Sequence, residues 1–167
     1  MLRVMGKREE RFSCGRSDDC PPSLRREGMP RIPHQSSATG MQAIPTAGIA
    51  LGIQYKELAG IAHDIPGEAP IVVCSFGDAS ITEGEVSEAF QMAVLKKLPI
   101  IYLVQDNEWD ISAHADEFRT GDATAYAKGF PGLATRTIDG TASALCHDTL
   151  RDVIATVGKE RRPFRVH

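Results

Sequence analysis

Blocks of apolar positions separated by polar turns predict alternating strands and helices in this chain. Two largely apolar runs, residues 71–76 and 100–104, have the length of buried parallel strands. The first run shows no alternation, which predicts a strand covered on both faces. Between the runs apolar residues recur at helical spacing, and Thr82 followed by Glu85 predicts a capping box that opens a helix to about Lys97. This order predicts the α/β fold class, a parallel sheet flanked by helices.

The pattern also predicts the flanking elements. The small residues Ala47, Gly48 and Gly52 predict that a helix from about Met41 to Leu58 packs tightly on a neighbour. Downstream of the second strand, the pattern predicts a loop, a short helix, a strand, a long helix and an extended end, over residues 110–121, 123–128, 136–139, 141–157 and 163–167.

The N-terminal part has a different composition. Residues 1–33 are rich in Arg, Gly, Pro and Ser and show no sustained apolar period. Such a segment buries too little apolar surface to offset the entropy of ordering, so we expect a poorly ordered arm. Residues 34–167 are expected to form the α/β domain.

Composition excludes several classes of function. The chain has 167 residues, of which 42% are hydrophobic and 25% charged, with a net charge of −3. A weakly acidic chain of this length fits one globular domain and gives no reason to expect a nucleic acid or membrane partner. No apolar run has the length of a membrane span, and the four cysteines are sparse and irregular. We therefore expect a reduced protein of the cytoplasm.

Polar residues stand just after each of the two predicted strands. The turn Gly77 to Ser80 contains Asp78, and Asn107 follows the second strand 29 positions later. In a parallel sheet both positions reach the same edge, where a carboxylate and an amide oxygen suit Mg²⁺. The neighbouring Asp106 is expected to bond the backbone of its own loop.

Four sequence words around these positions resemble one enzyme family. They are QSSATGMQ (35–42), GDASITEGE (77–85), KLPII (97–101) and QDNEWDIS (105–112). Together they resemble the α-type part of the E1 component of 2-oxoacid dehydrogenases, the pyruvate and branched-chain class, over residues 29–167. The resemblance implies a thiamine diphosphate-binding fold, here partial and incomplete at the C-terminal end.

The resemblance also implies the residues of a cofactor site. They are Ser37, Thr39, Gly77, Asp78, Ala79, Ser80, Asn107 and Trp109. Asp78, Asn107 and the backbone carbonyl of Trp109 would bind Mg²⁺. Ala79 and Ser80 would contact the diphosphate, while Ser37 and Thr39 would line the aminopyrimidine pocket. The resemblance assigns no catalytic residue to this chain.

In the family, the reaction is the oxidative decarboxylation of a small 2-oxo acid with acyl transfer to a lipoyl-bearing E2 component. The glutamate that activates the cofactor ring belongs to a β-type part, and a histidine loop would begin beyond His167. We therefore expect a chain that is inactive alone and belongs to an oligomer in the complete enzyme. Two alternatives remain open: a transketolase-like or other thiamine enzyme, and a catalytically silent remnant that serves as a binding module.

Overall fold

The computed structural model describes Arg8 and residues 28–33, 38–63 and 69–167. Contacts divide the chain into two compact units, residues 1–39 and 40–167. In the first unit the described residues 28–33 are all exposed. Most of the predicted N-terminal arm, residues 1–33, and the predicted site residue Ser37 lie outside the described residues. The second unit contains the sheet and the helices that follow.

The core of the second unit is a four-stranded parallel sheet in the order β1-β2-β6-β5. Its strands are β1 (Val72–Gly77), β2 (Ile100–Gln105), β5 (Ala134–Arg136) and β6 (Phe164–Val166); two further short strands, β3 (Trp109–Asp110) and β4 (Ala113–His114), form a hairpin. The parallel pairing of β1 with β2 requires a crossover, which α2 supplies. The predicted α/β class with a parallel sheet is confirmed.

Helices cover the sheet. Their bounds are α1 (Ala43–Leu58), α2 (Gly84–Lys96), α3 (Ala115–Phe118), α4 (Ala123–Ala127) and α5 (Ser143–Glu160). The periodic stretches therefore formed helices close to where the sequence predicted them. Within the described part of the chain, no helix is both long and apolar enough to cross a membrane.

The larger apolar core lies on the face of the sheet that α1 and α2 cover. The predicted α2 stripe is buried there through Val86, Ala89, Phe90 and Ala93. Phe90 occupies its centre, with its ring centroid 4.5 Å from that of Tyr102. On the opposite face α5 packs on β2 and β6 and encloses a smaller core.

The glycines of α1 do not make the predicted tight contact. Alanines do so instead, since Ala43, Ala47 and Ala50 are fully buried in the core. A Cβ added at Gly48 or Gly52 would meet nothing within 4 Å. The helix thus packs closely on its neighbour, as predicted, and among the described residues its alanines rather than Gly48 and Gly52 make the contact.

The prediction that strand 71–76 is covered on both faces was wrong for the described residues. β1 lies at the edge of the sheet, and its residues alternate between buried and exposed. Val73 is 52% exposed, whereas Cys74 is 1% exposed. The cause is the placement of α5, which packs on β2 and β6 rather than on β1.

Three local predictions also need correction. Thr82 does not cap α2: it ends a 3-10 helix, Asp78–Thr82, and donates its hydroxyl to the carbonyl of Ala79, so Glu83 takes the N-cap position. The predicted loop 110–121 contains the β3–β4 hairpin and α3. The predicted strand 136–139 corresponds to β5, which begins and ends earlier, at Ala134–Arg136. Backbone contacts across the turn, which a linear pattern does not show, decide these ends.

Burial should protect one thiol from alkylation. Cys74 is buried in β1, and burial raises the pKa of its thiol to about 11, so almost no reactive thiolate exists at pH 8. Cys146 is partly exposed on α5. We expect a short pulse of iodoacetamide to modify Cys146 and to leave Cys74 unmodified until urea unfolds the protein, as read by peptide mass spectrometry. Equal labelling of both cysteines in native protein would contradict this placement.

Candidate functional site

The parallel register brings two polar turns to the same edge of the sheet. Gly77 at the end of β1 is paired with Gln105 at the end of β2, so the residues that follow each strand are neighbours. Asp78 is 1% exposed, and its Oδ1 lies 3.4 Å from the backbone nitrogen of Asn107, which donates to it. The structure thus brings Asp78 and Asn107 together, as their placement predicted.

A compact turn holds the Asn107 side chain at this edge. The Oδ1 atom of Asn107 accepts a hydrogen bond of 2.9 Å from the backbone of Trp109. The Oδ1 atom of Asp106 accepts one from the backbone of Glu108, also at 2.9 Å, which confirms the predicted bond of Asp106 to its own loop. Glu108 has a left-handed φ of 64°, which reverses the chain between these bonds. Trp109 is half exposed, with its ring packed edge-on against His114.

The turn after β1 is a short 3-10 helix that begins at Asp78. Ser80 is buried and Ala79 is partly buried. Backbone N–H groups in the first turn of such a helix have no partner within it, so they suit an anion. Gly77 is not required by space, because a Cβ there would approach only the carbonyl of Gln105, at 4.0 Å.

An arginine that the sequence analysis missed completes the site. Arg119 is the residue directly after α3, and its side chain is 8% exposed. Its Nη1 atom lies 2.9 Å from Oδ2 of Asp78 and 3.0 Å from Oδ2 of Asp106. Its Nη2 atom donates a hydrogen bond of 3.1 Å to Oδ1 of Asp106. One guanidinium therefore faces two carboxylates.

The two contacts of Arg119 differ in kind. With Asp106 the guanidinium forms a hydrogen bond as well as a charge contact. With Asp78 the contact is one of charge alone, because neither Nη1 of Arg119 nor Oδ2 of Asp78 has a well-aligned hydrogen-bond partner among the described residues. The carboxylate of Asp78 thus keeps a buried oxygen without a hydrogen-bond donor.

The electrostatics distinguish the two carboxylates. Burial raises the pKa of Asp78, and the nearby charge of Asp106 adds to that effect against the influence of Asn107 and Arg119. Burial also opposes ionisation of Asp106, but its hydrogen bonds with Arg119 and His167 outweigh it and hold the pKa of Asp106 well below its usual range. The pKa of Arg119 is raised, because its interactions with Asp106 exceed the cost of burial. Asp106 is thus the firmly ionised partner of the arginine.

His167, the residue directly after β6, links this cluster to β6 and β5. Its Nε2 atom lies 2.9 Å from Oδ2 of Asp106, and its Nδ1 atom lies 3.1 Å from the hydroxyl of Thr124. Its backbone bonds to β5 through Arg136, so the histidine is fixed beside the turn that carries Asp106. From the sequence, His167 was expected only to lead toward another segment, and its contact with Asp106 was not predicted.

One signal in the sequence could have indicated Arg119. Two acids, Asp78 and Asp106, were predicted at one sheet edge, and such a pair requires a cation. Arg119 is the one Lys or Arg between Lys97 and Lys128. No comparable signal indicated His167, because its contact with Asp106 depends on the position of β6 beside β2.

The oxygen atoms at this edge fit a hard divalent cation. Asp78 offers a buried carboxylate oxygen that lacks a hydrogen-bond donor, and Oδ1 of Asn107 keeps a lone pair beyond its bond with Trp109. Carboxylate, amide and carbonyl oxygens are the ligands that Mg²⁺ accepts. In the part of the chain that the structure describes, no three His, Cys, Asp or Glu side chains form a metal-binding group, so a site for zinc is not indicated there.

The sequence model of the family described as dehydrogenase E1 component matches residues 4–163, nearly the whole chain. The chain belongs to the dehydrogenase E1 component family. The resemblance that the sequence words suggested is thereby confirmed, and the site lies in an E1-family chain.

Curated relatives agree with this assignment. The E1-family chain is 39% identical over 77 residues to the pyruvate dehydrogenase E1 component subunit alpha of Porphyra purpurea, a match that covers 44% of this chain and 22% of the relative. It is 26% identical over 96 residues to the mitochondrial 2-oxoisovalerate dehydrogenase subunit alpha of Mus musculus, covering 58% of this chain and 22% of the relative. The matched region thus spans about a fifth of each relative.

Solved structures show the same fold. A thiamin diphosphate-dependent enzyme of Mycobacterium smegmatis matches with a TM-score of 0.55 at 23% identity, covering 78% of this chain and 22% of that chain. A transketolase of Pichia stipitis matches with a TM-score of 0.65 at 22% identity, covering 78% of this chain and 19% of that chain. These similarities confirm the α/β fold of thiamine diphosphate-binding proteins for the E1-family chain.

Thr39 is described and exposed, and it belongs to the first unit of the E1-family chain. Ser37 lies outside the described residues. The roles of Ser37, Thr39, Gly77, Ala79, Ser80 and Trp109 in cofactor binding stay predictions.

Proposed function

We propose that this chain is the thiamine diphosphate- and Mg²⁺-binding part of a 2-oxoacid dehydrogenase E1 component. The observation that carries the proposal is the buried Asp78 carboxylate beside Asn107, at adjacent strand ends of an E1-family chain. The reaction of the complete enzyme would be oxidative decarboxylation of a small 2-oxo acid with acyl transfer to the lipoyl group of E2.

Each residue would have a separate task in the site. Asp78, the amide oxygen of Asn107 and the carbonyl of Trp109 would hold Mg²⁺, and the N–H groups of Ala79 and Ser80 would face the diphosphate. When bound, thiamine diphosphate supplies the electron sink that decarboxylation requires. The residues of this chain would bind and orient the cofactor, and the glutamate that activates its ring would come from the β-type part.

A partner is part of the proposal, namely a β-type part that would supply the remaining half of the cleft. The exposed side of α1 supports a protein partner. Leu51 and Tyr55 line a shallow apolar depression there, and Leu58 is 83% exposed. The glycines Gly48 and Gly52 leave room for a close approach. An apolar depression of this kind offers surface that a protein partner could bury.

Replacement of Asp78 tests the proposal directly. We expect the Asp78→Ala variant to bind thiamine diphosphate with Mg²⁺ at least about tenfold more weakly than the original chain, a loss of about 1.4 kcal/mol or more. The reason is the loss of the one carboxylate in the predicted metal-ligand set, which would hold the Mg²⁺ that accompanies the diphosphate. Isothermal titration calorimetry with and without Mg²⁺, in the presence of a β-type part, measures the change.

Asp148→Ala is the matched control, because Asp148 is an exposed acid on α5 away from the site. Equal binding by Asp78→Ala and the control would contradict the metal role of Asp78. Turnover assays with pyruvate, branched-chain 2-oxo acids and ketose phosphates separate the alternatives. Cleavage of ketose phosphates would indicate a transketolase-like enzyme, and metal-dependent binding without any turnover, even with the β-type part present, would indicate a silent binding module.

A further inference from the structure

The guanidinium of Arg119 lies where a divalent cation at Asp78 would be bound. Its Nη1 atom is 2.9 Å from Oδ2 of Asp78, and both groups are almost completely buried. A cation bound to that oxygen and the guanidinium would repel each other, since like charges a few ångströms apart repel strongly inside a protein. Binding of a cation to Asp78 therefore favours withdrawal of Arg119 from it.

The structure also shows where Arg119 would remain. Its hydrogen bond is with Asp106, whereas its contact with Asp78 has no hydrogen bond among the described residues. The weaker of the two contacts is thus the one that a cation would replace. Asp106 is in turn held by His167 at 2.9 Å and by the backbone of Glu108, so it stays in place when Arg119 leaves Asp78.

We propose that Arg119 is a positioning residue that neutralises Asp78 until a divalent cation binds and then pairs with Asp106 alone, so that the Arg119–Asp106 pair sets the cation affinity. This inference rests on the proposed function, because it assumes that Asp78 is a metal ligand. It adds Arg119, which is not one of the predicted metal ligands Asp78, Asn107 and Trp109. Asp106 serves as the acceptor that keeps the arginine within the site after metal binding.

The proposal predicts that neutralising Arg119 tightens cation binding. We expect Arg119→Gln to bind Mn²⁺, used as a probe for Mg²⁺, about tenfold more tightly than the original chain, because a competing positive charge is removed. Arg119→Lys keeps the competing charge, although its ammonium loses the two-point contact with Asp106, and should stay within about threefold of the original chain. Free Mn²⁺ measured by electron paramagnetic resonance gives these affinities without any assay of activity.

A second variant separates this role from a merely structural one. Asp106→Asn removes the negative charge and one of the two oxygens that hold Arg119 aside, so Mn²⁺ affinity should fall. The fall should be smaller when the same change is made in Arg119→Gln, because no arginine then needs to be held. A residue that only supported the fold would weaken binding in all variants alike. Urea unfolding of each variant confirms that it is folded.

The possible failures are distinguishable. If the original chain binds Mn²⁺ and Asp78→Ala does not, but Arg119→Gln binds as the original or more weakly, the role of Arg119 is overturned and the proposed function stands. If the original chain shows no Mn²⁺ binding that depends on Asp78, both are overturned. Tighter binding by Arg119→Gln together with unchanged binding by Arg119→Lys supports the proposal.

Discussion

The Phe90→Ala variant should lose about 3–5 kcal/mol of its free energy of unfolding, the usual cost of removing a buried aromatic side chain. Phe90 has no exposed surface, and its ring centroid lies 4.5 Å from that of Tyr102 and 5.4 Å from that of Phe130. It joins α2 to β2 and to the segment after α4. Its loss would leave a cavity beneath the helix that follows the Asp78 turn.

Equilibrium urea unfolding measures this loss. Because domains of this size have about 5–15 kcal/mol of stability, Phe90→Ala should have a much lower midpoint, with a substantial unfolded fraction in water if the chain is marginally stable. Leu95→Ala is the matched control, since Leu95 lies on the same helix and is 71% exposed. Its change should stay within about 0.5 kcal/mol. Equal losses in both variants would contradict the burial of Phe90.

Replacing Arg165 by Met should stabilise the protein by about 1–3 kcal/mol. Arg165 is fully buried in β6, and its Nη2 atom donates to the hydroxyl of Thr124 at 3.2 Å. Its Nε and Nη1 atoms have no hydrogen-bond partner among the described residues. Burial lowers the pKa of Arg165, a sign that the folded environment disfavours its charge. Met keeps most of the volume of this side chain and removes the charge and the unpaired donors.

The urea midpoint of Arg165→Met relative to the original chain gives the sign of the effect. Arg165→Lys is the control: it keeps a buried charge and should not be stabilised. A lower midpoint for Arg165→Met than for Arg165→Lys would show that the guanidinium stabilises the fold, contrary to this prediction.

Local patterns predicted most of the secondary structure because the period of apolar residues depends on backbone geometry alone. The α2 stripe through Val86 and Phe90 is an example, as is the apolar run of β2. Ends of elements were predicted less well. Thr82 had the sequence of a cap but ended a 3-10 helix, since the turn at Asp78 is held by contacts with the next strand.

The sequence by itself determined the α/β class, the placement of Asp78 and Asn107 at one sheet edge, and the family. These depend on short-range periodicity, on the handedness of a crossover and on contiguous sequence words, all of which are properties of a linear chain. Only the tertiary structure decided that Arg119 faces both Asp78 and Asp106 and that His167 holds Asp106. Those contacts join residues far apart in sequence, and the packing of α3 and β6 against the turn determines them, because no local pattern specifies which distant side chain will neutralise a buried carboxylate.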